Sequence, residues 1–438
     1  MKKYYLVCVL LFAGFTAQAY AALHIHSWSL PNGARVLFVE NHTIPMLDLS
    51  IEFDAGSRRD PAEKSGLAAL TNAQLARGIV ADGDAPALSE AQILNGFADI
   101  AAQRGSNTGM DRAGVTLRTL SSAAERDTAV GLLARMLAQP GFPAELFARD
   151  QARTIAAVKE SETRAAEIAA KAFWASAYGA HPYARRESAE SVAAITRDDL
   201  LTFHRRHYVA NRAVIAMIGD VTRAQADQIA QRLTQQLPQG AALPDLPEVE
   251  VSAASEKRIA HPASQSHILI GMPALVRNDP DFFALTVGNY ILGDGGFVSR
   301  LNKEVREKRA LAYSVYSYFS PLAQQGPFQI GLQTKKEQTD EALGVVRRTV
   351  ATYLQDGPTV AELKAAKDNL IGGFALRIDN NRKILGHLAV IGYYQLPLNY
   401  LDTWSANVAK VTATQVRDAF NRKIALDKLS TIVVGEAG

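Results

Sequence analysis

The sequence holds one cysteine, Cys8, and it lies within the first twenty residues. It stands too early in that segment, and in the wrong context, to serve for lipid attachment. A chain trimmed behind the segment has no thiol and hence no disulfide, even in an export compartment that would permit one. Its stability must then come from burial, which a chain of 438 residues can supply. Charge of one sign is lacking as well. With 47 Lys+Arg against 44 Asp+Glu, the formal net charge is +3, which gives no reason to expect nucleic acid or an anionic membrane as a partner. Long apolar runs are missing: the longest, Tyr4 to Phe15, is about half of the roughly twenty residues that a membrane span needs. Low-complexity tracts are absent, and 48% hydrophobic with 21% charged residues is the composition of a folded protein.

The short apolar run has a meaning of its own. Lys2 and Lys3 precede it, and Ala17-Gln18-Ala19 and Ala19-Tyr20-Ala21 follow with small residues at the spacing a signal peptidase reads. Residues 1–21 are therefore expected to be a cleaved signal peptide. The expected destination is the bacterial periplasm, with no stable membrane anchor after cleavage.

The remainder repeats itself. Val115 to Leu120, followed by the helix-like Asp127 to Arg135, is echoed 213 residues later by Phe328 to Gln333 and Asp340 to Arg348. Ala144-Glu145-Leu146 and Ala361-Glu362-Leu363 then open a helix in each half. Strand candidates are Ala34 to Val39, Leu47 to Phe53, Ala213 to Ile218, Ser266 to Ile270, Ser314 to Tyr318 and Leu429 to Val434. The alanine-rich stretch Thr154 to Ala172 reads as helix. Strands and helices in segregated runs predict an α+β fold. Pro238, Pro244 and Pro247 mark an extended linker. The expected layout is an N-terminal domain over 22–237, a linker over 238–255 and a homologous C-terminal domain over 256–438. Each domain would be a mostly antiparallel sheet packed against long helices.

Three segments carry a resemblance. They are Leu30-Pro31-Asn32-Gly33-Ala34-Arg35-Val36; Ala55-Gly56-Ser57-Arg58-Arg59-Asp60-Pro61 with Gly66-Leu67-Ala68; and Ser299 to Val315, which includes Arg306-Glu307-Lys308-Arg309-Ala310-Leu311-Ala312-Tyr313. His181-Pro182-Tyr183 and Asp279-Pro280-Asp281 fit the same pattern. Together they resemble the pitrilysin/insulinase family of zinc peptidases, the inverted zincins, and especially its smaller members built like mitochondrial processing peptidase. The resemblance covers essentially the whole chain behind the signal segment.

In active relatives a helix beginning after Gly-Leu-Ala carries His-x-x-Glu-His, two zinc ligands one turn apart and a glutamate that activates water. Here the helix reads Ala69-Leu70-Thr71-Asn72-Ala73. Ala69 and Ala73 stand at the histidine positions and Asn72 at the glutamate. Alanine offers no lone pair, and asparagine is no general base near neutral pH. The resemblance places a further glutamate ligand soon after Arg149-Asp150, yet Gln151 to Lys159 holds no carboxylate, and Glu160 and Glu162 read as solvated helix residues. No other histidines form the motif. His204 and His207 lie beside Arg205 and Arg206, which disfavours a cation, and His24 and His26 stand alone near the expected mature terminus. No metal and no catalytic residue is expected in this chain by itself.

The substrate side is retained. In active relatives an arginine and a tyrosine of the second half reach the substrate backbone at the zinc site; Arg306 and Tyr313 have that spacing and context. An arginine fork and a phenol can donate to a carbonyl oxygen that gains charge during attack. Two departures accompany them. Ala310 stands where relatives have glycine, and Asp294 interrupts Gly293 to Gly296. The resemblance thus implies one half of a clamshell, paired with a homologous subunit that carries the zinc, and acting on peptides or unfolded segments. A catalytically inert scaffold or peptide-binding protein of the same fold is the alternative. An unaided hydrolase lacks support, since no Gly-x-Ser-x-Gly occurs.

Overall fold

The computed structural model of the chain describes residues 23–435. The expected signal peptide with Cys8 lies outside the described residues, as do 436–438. The first half runs β1 (His26–Ser29), β2 (Arg35–Glu40), β3 (Met46–Phe53), α1 (Leu67–Gln74), the short β4 (Gly78–Ile79) and β5 (Leu88–Ser89), α2 (Glu90–Ala98), β6 (Gln103–Thr108) and β7 (Ala113–Leu120). It continues with α3 (Ala123–Ala138), α4 (Ala144–Ser161), α5 (Ala165–Tyr178), α6 (Ala189–Ala193), α7 (Arg197–His207), β8 (Val214–Gly219) and α8 (Arg223–Thr234). From Leu237 to Ser255 there is neither helix nor strand. The second half runs β9 (Glu256–Ala260), β10 (Gln265–Leu275), α9 (Phe282–Asn289), β11 (Val315–Phe319), β12 (Gly326–Lys335), α10 (Thr339–Asp356), α11 (Val360–Phe374), α12 (Asn381–Tyr394), α13 (Tyr400–Lys410), α14 (Ala413–Lys423) and β13 (Ser430–Gly435).

The duplication is explicit in the sheets. The first has the order β1-β2-β8-β3-β7-β6, the second β9-β13-β10-β12-β11. Apart from β1 the two match strand for strand. β2 is parallel to β8 as β9 is to β13, and the remaining pairs are antiparallel in both. The chain is therefore α+β, with two homologous, mostly antiparallel sheets. The register of the repeat differs from the one the sequence suggested. Helices beginning at Ala144, Ala165 and Arg197 are answered by helices beginning at Val360, Asn381 and Ala413, each 216 residues later. The pairing of Ala144 with Ala361 at 217 slips by one residue, and the pairing at 213 of α3 with α10, which begin 216 residues apart, slips by three. That is close to one turn, so the apolar face still coincides and the mismatch leaves no trace in the pattern.

Local signals set these helices. Thr196, with Asp199 at the third helical position, forms a reciprocal cap at the start of α7, and Thr412 with Gln415 does the same for its counterpart α14. Thr359 and Glu362 cap α11 likewise. Thr154 to Ala172, read as one helix, is broken between Ser161 and Ala165. The Ser161 and Thr163 hydroxyls donate to the main-chain carbonyls of Val158 and Glu160, which competes with helix continuation.

That break redirects α5 away from its own sheet. Ala165, Ala169, Phe173 and Ala177 pack with Ile432 and Val434 of the second sheet. Its counterpart α12 makes the reverse move, and Leu385, Leu388 and Ile391 share a core with Leu37, Val214, Ala216 and Ile218 of the first. Each sheet is thus covered on one face by its own helices and on the other by a helix from the opposite half. Among the described residues no helix is long and apolar enough to cross a membrane.

Candidate functional site

Helix α1 holds the degenerate motif, and its start is fixed by a carboxylate. Asp60 accepts the amides of Gly66 and Ala68, both at 2.8 Å, where an anion complements the helix N-terminus. Gly66 has φ of 105°, a conformation that glycine supplies without strain. Leu67, Ala68, Leu70 and Thr71 face the core. Ala69 is half-buried and Ala73, one turn on, is exposed, and the two positions that the resemblance aligns with histidines carry only methyl groups.

Asn72 points inward. Its amide nitrogen donates to the carbonyl of Asn107 at 2.8 Å, to Thr108 Oγ1 at 3.1 Å and to the carbonyl of Gly114 at 3.2 Å, while its oxygen accepts from the Tyr208 hydroxyl at 3.2 Å. A glutamate could not donate to any of these acceptors. Asn72 is a buried strut between α1 and the β6–β7 hairpin, with nothing left to polarise water.

The α4 carboxylate that reaches α1 is Asp150, just ahead of the stretch searched in the sequence. It accepts from Gln74 at 2.9 Å, Arg77 at 2.7 Å and Arg149 at 2.8 Å, and both arginines also pair with Glu90. Burial alone would raise the Asp150 carboxyl, but Arg149 and Arg77 hold it below its ordinary value. Glu160 and Glu162 are exposed, and Glu162 pairs with Lys171. Two methyl groups, a fully engaged amide and a carboxylate neutralised by arginines do not fit zinc. No group of three or more His, Cys, Asp or Glu among the described residues could hold a metal. His204 and His207 are buried and bond the carbonyls of Leu137 and Asp54 at 2.8 and 2.9 Å.

The second-half pair presents the opposite picture. Between α9 and β11 the chain turns through two widened, π-helical segments, Tyr290–Asp294 and Asn302–Glu307. Gly293 lets the first approach β11, since a Cβ there would lie 2.3 Å from Ser317 Oγ. Arg306, on the second, is sandwiched between two rings, 4.6 Å from the Phe297 centroid and 4.9 Å from that of Tyr313. Tyr313 is 82% exposed and Phe297 64%. Among the described residues neither Arg306 nor Tyr313 makes a side-chain hydrogen bond. Tyr313 stands at a groove of about 510 Å³ walled by α5 on one side and by Tyr316 and Gln329 on the other. Phe297, the third member of the stack, escaped the sequence reading because nothing in its spacing tied it to Arg306.

Ala310, between the two, has φ of 53°. Its amide donates to the Arg306 carbonyl at 2.8 Å, closing the turn that delivers Tyr313. An L-residue there is strained, so Ala310→Gly is expected to stabilise the chain by about 0.5–1 kcal/mol. A thermal unfolding midpoint that falls would contradict this.

The other segments of the resemblance turn out to be joints. Arg58 and Tyr183 meet at Asp111, a residue the sequence did not single out because it sits alone in the β6–β7 turn, outside any periodic element. Asp279 pairs with Lys423 and Asp281 with Arg422 at 2.6 Å, tying the start of α9 to the end of α14.

Two homologous sheets with exchanged helices, without a group of residues that could hold a metal among those described, make up the architecture to be compared with known proteins. The peptidase M16 inactive domain family matches residues 194–370. The crystal structure of the peptidase M16 inactive domain from Pseudomonas fluorescens is 37% identical, covers 95% of this chain and 98% of that one, and superposes with a TM-score of 0.90. The non-peptidase homolog YmxG of Helicobacter pylori is 28% identical, over 99% of this chain and 98% of that protein. The periplasmic protease PqqL of Escherichia coli is similar in fold alone, at 18% identity and a TM-score of 0.79, with 94% of this chain matching 45% of that one. The chain belongs to the peptidase M16 family, as a non-catalytic, inactive-domain member.

Proposed function

We propose that this chain is the non-catalytic, substrate-binding subunit of a heterodimeric periplasmic zinc endopeptidase. A homologous subunit would bind the zinc, and the halves 22–237 and 256–438, joined by 238–255, would form one side of the clamshell. The observation that carries this reading is the state of Arg306 and Tyr313. Tyr313 is exposed and Arg306 half-buried, neither makes a side-chain hydrogen bond among the described residues, and the guanidinium is preoriented by its two rings. With neither donor engaged within those residues, water can stand in for a partner until one arrives. Donors held ready in this way suit an acceptor on another molecule, such as a peptide carbonyl that gains charge under attack by zinc-bound water. PqqL supports the arrangement, because less than half of that protease matches this chain and the rest leaves room for a second such unit.

In the assembled pair, Arg306→Ala or Tyr313→Phe is expected to lower turnover of an unfolded peptide by about 10²–10³-fold, the usual cost of one donor to a developing oxyanion. Zinc content should stay unchanged, since neither residue is a ligand. Turnover equal to that of the unaltered pair in both variants would sink the assigned role.

A further inference from the structure

Four arginines from different elements line one pocket of about 500 Å³ at the junction of the halves. Arg35 opens β2, Arg212 precedes β8, Arg58 lies in the turn behind β3, and Arg277 follows β10 in the second half. The only carboxylate lining the pocket is Asp54, and it is already engaged. It accepts from Arg58 at 2.9 Å and from Arg59 at 2.9 and 2.6 Å. Arg212 gives its terminal nitrogens to the carbonyls of Ala241 and Arg206. Arg35 and Arg277 have no side-chain hydrogen bond or ion pair among the described residues; Arg277 only stands over the Tyr394 ring at 5.1 Å.

A second observation points the same way. The buried side-chain nitrogens and oxygens without any partner include Nε of Arg58, Arg212 and Arg277, three guanidiniums of the same pocket. Burying cationic donors without acceptors is costly, and native chains rarely concentrate such atoms in one place without a reason. Burial also lowers the affinity of Arg35 and Arg277 for their protons, the signature of charge held away from water without a counter-charge. Guanidinium forks match the oxygens of phosphate and carboxylate groups, so the missing partner is an oxyanion. We propose that this pocket binds a small polyvalent oxyanion, a phosphate-bearing or dicarboxylate ligand, which bridges Arg35 of the first half and Arg277 of the second.

The test titrates the whole mature chain with inorganic phosphate and, separately, with malonate, at an ionic strength held constant with sodium chloride. Calorimetry and the thermal unfolding midpoint are read for the unaltered chain and for Arg35→Gln/Arg277→Gln. Saturable one-to-one binding with a raised midpoint is expected. The double variant should bind at least tenfold more weakly and, because neither arginine makes a side-chain hydrogen bond or ion pair among the described residues, should be little less stable without ligand. Saturation by phosphate alone would assign a phosphoryl group, and saturation by malonate a carboxylate ligand. No saturable binding of either probe, or equal binding by the folded double variant, would overturn the proposal.

Discussion

Asp111→Ala is expected to cost about 3–5 kcal/mol of folding stability, as removal of one partner from a buried charged network does. Asp111 is 1% exposed. One carboxylate oxygen accepts from Arg58 at 2.8 Å and the Tyr183 hydroxyl at 2.6 Å, both in the first half. The other accepts from the Ala323 amide at 2.8 Å and the Tyr394 hydroxyl at 2.7 Å, both in the second. Its main-chain carbonyl takes the Tyr393 hydroxyl at 2.7 Å. Alanine would leave a buried guanidinium, two phenols and an amide without their acceptor, at the point where the halves are joined. Asp220→Ala is the control. That partly exposed carboxylate pairs with exposed His42 and accepts from the Ser121 hydroxyl, and its loss should be far smaller than that of Asp111. Denaturant unfolding of the two variants measures the difference; similar small losses would mean that Asp111 does not hold the halves together.

Acid should be the second large effect. Burial pushes His204 and His207 down to about 4, against the pull of the carbonyls they bond. In the folded chain both imidazoles therefore stay neutral until the pH nears 4, whereas in the unfolded chain they take up protons near 6.5. The unfolded state then binds more protons below about pH 6.5. Stability is complete above that value and falls as pH drops, by about 3 kcal/mol per histidine at pH 4. Losing about 6 kcal/mol approaches the whole stability of an ordinary domain, roughly 5–15 kcal/mol. A His204→Gln/His207→Gln chain, which keeps a donor at each site, should show a much smaller drop in thermal midpoint between pH 7 and pH 4. Equal drops in the two chains would contradict the assignment.

How much of this was legible in the sequence depended on whether a feature is local. The apolar strands Met46–Phe53, Val214–Gly219 and Ser430–Gly435 announce themselves, whereas Gln103–Thr108 and Glu256–Ala260 are polar edge or near-edge strands without alternation and went unread. Side-chain identity alone showed that Ala69, Asn72 and Ala73 cannot hold zinc, and the departure at Ala310 marked a position with positive φ. The exchange of α5 and α12 could not be read. An apolar stripe says that a helix is buried, not against which sheet. The Asp111 joint was hidden for a related reason, because its partners lie up to 283 residues away and no spacing rule connects them. The oxyanion pocket is likewise assembled from four separate element ends.

The central claim, that this chain completes a zinc peptidase it cannot be alone, is tested most directly by purifying the tagged chain from its own host. The mass and zinc content of what accompanies it are then measured. The account predicts a one-to-one complex with a homologous chain that carries His-x-x-Glu-His, and one zinc per pair. A zinc-free chain that emerges alone, or bound only to an unrelated protein, would contradict it and leave the fold as a scaffold.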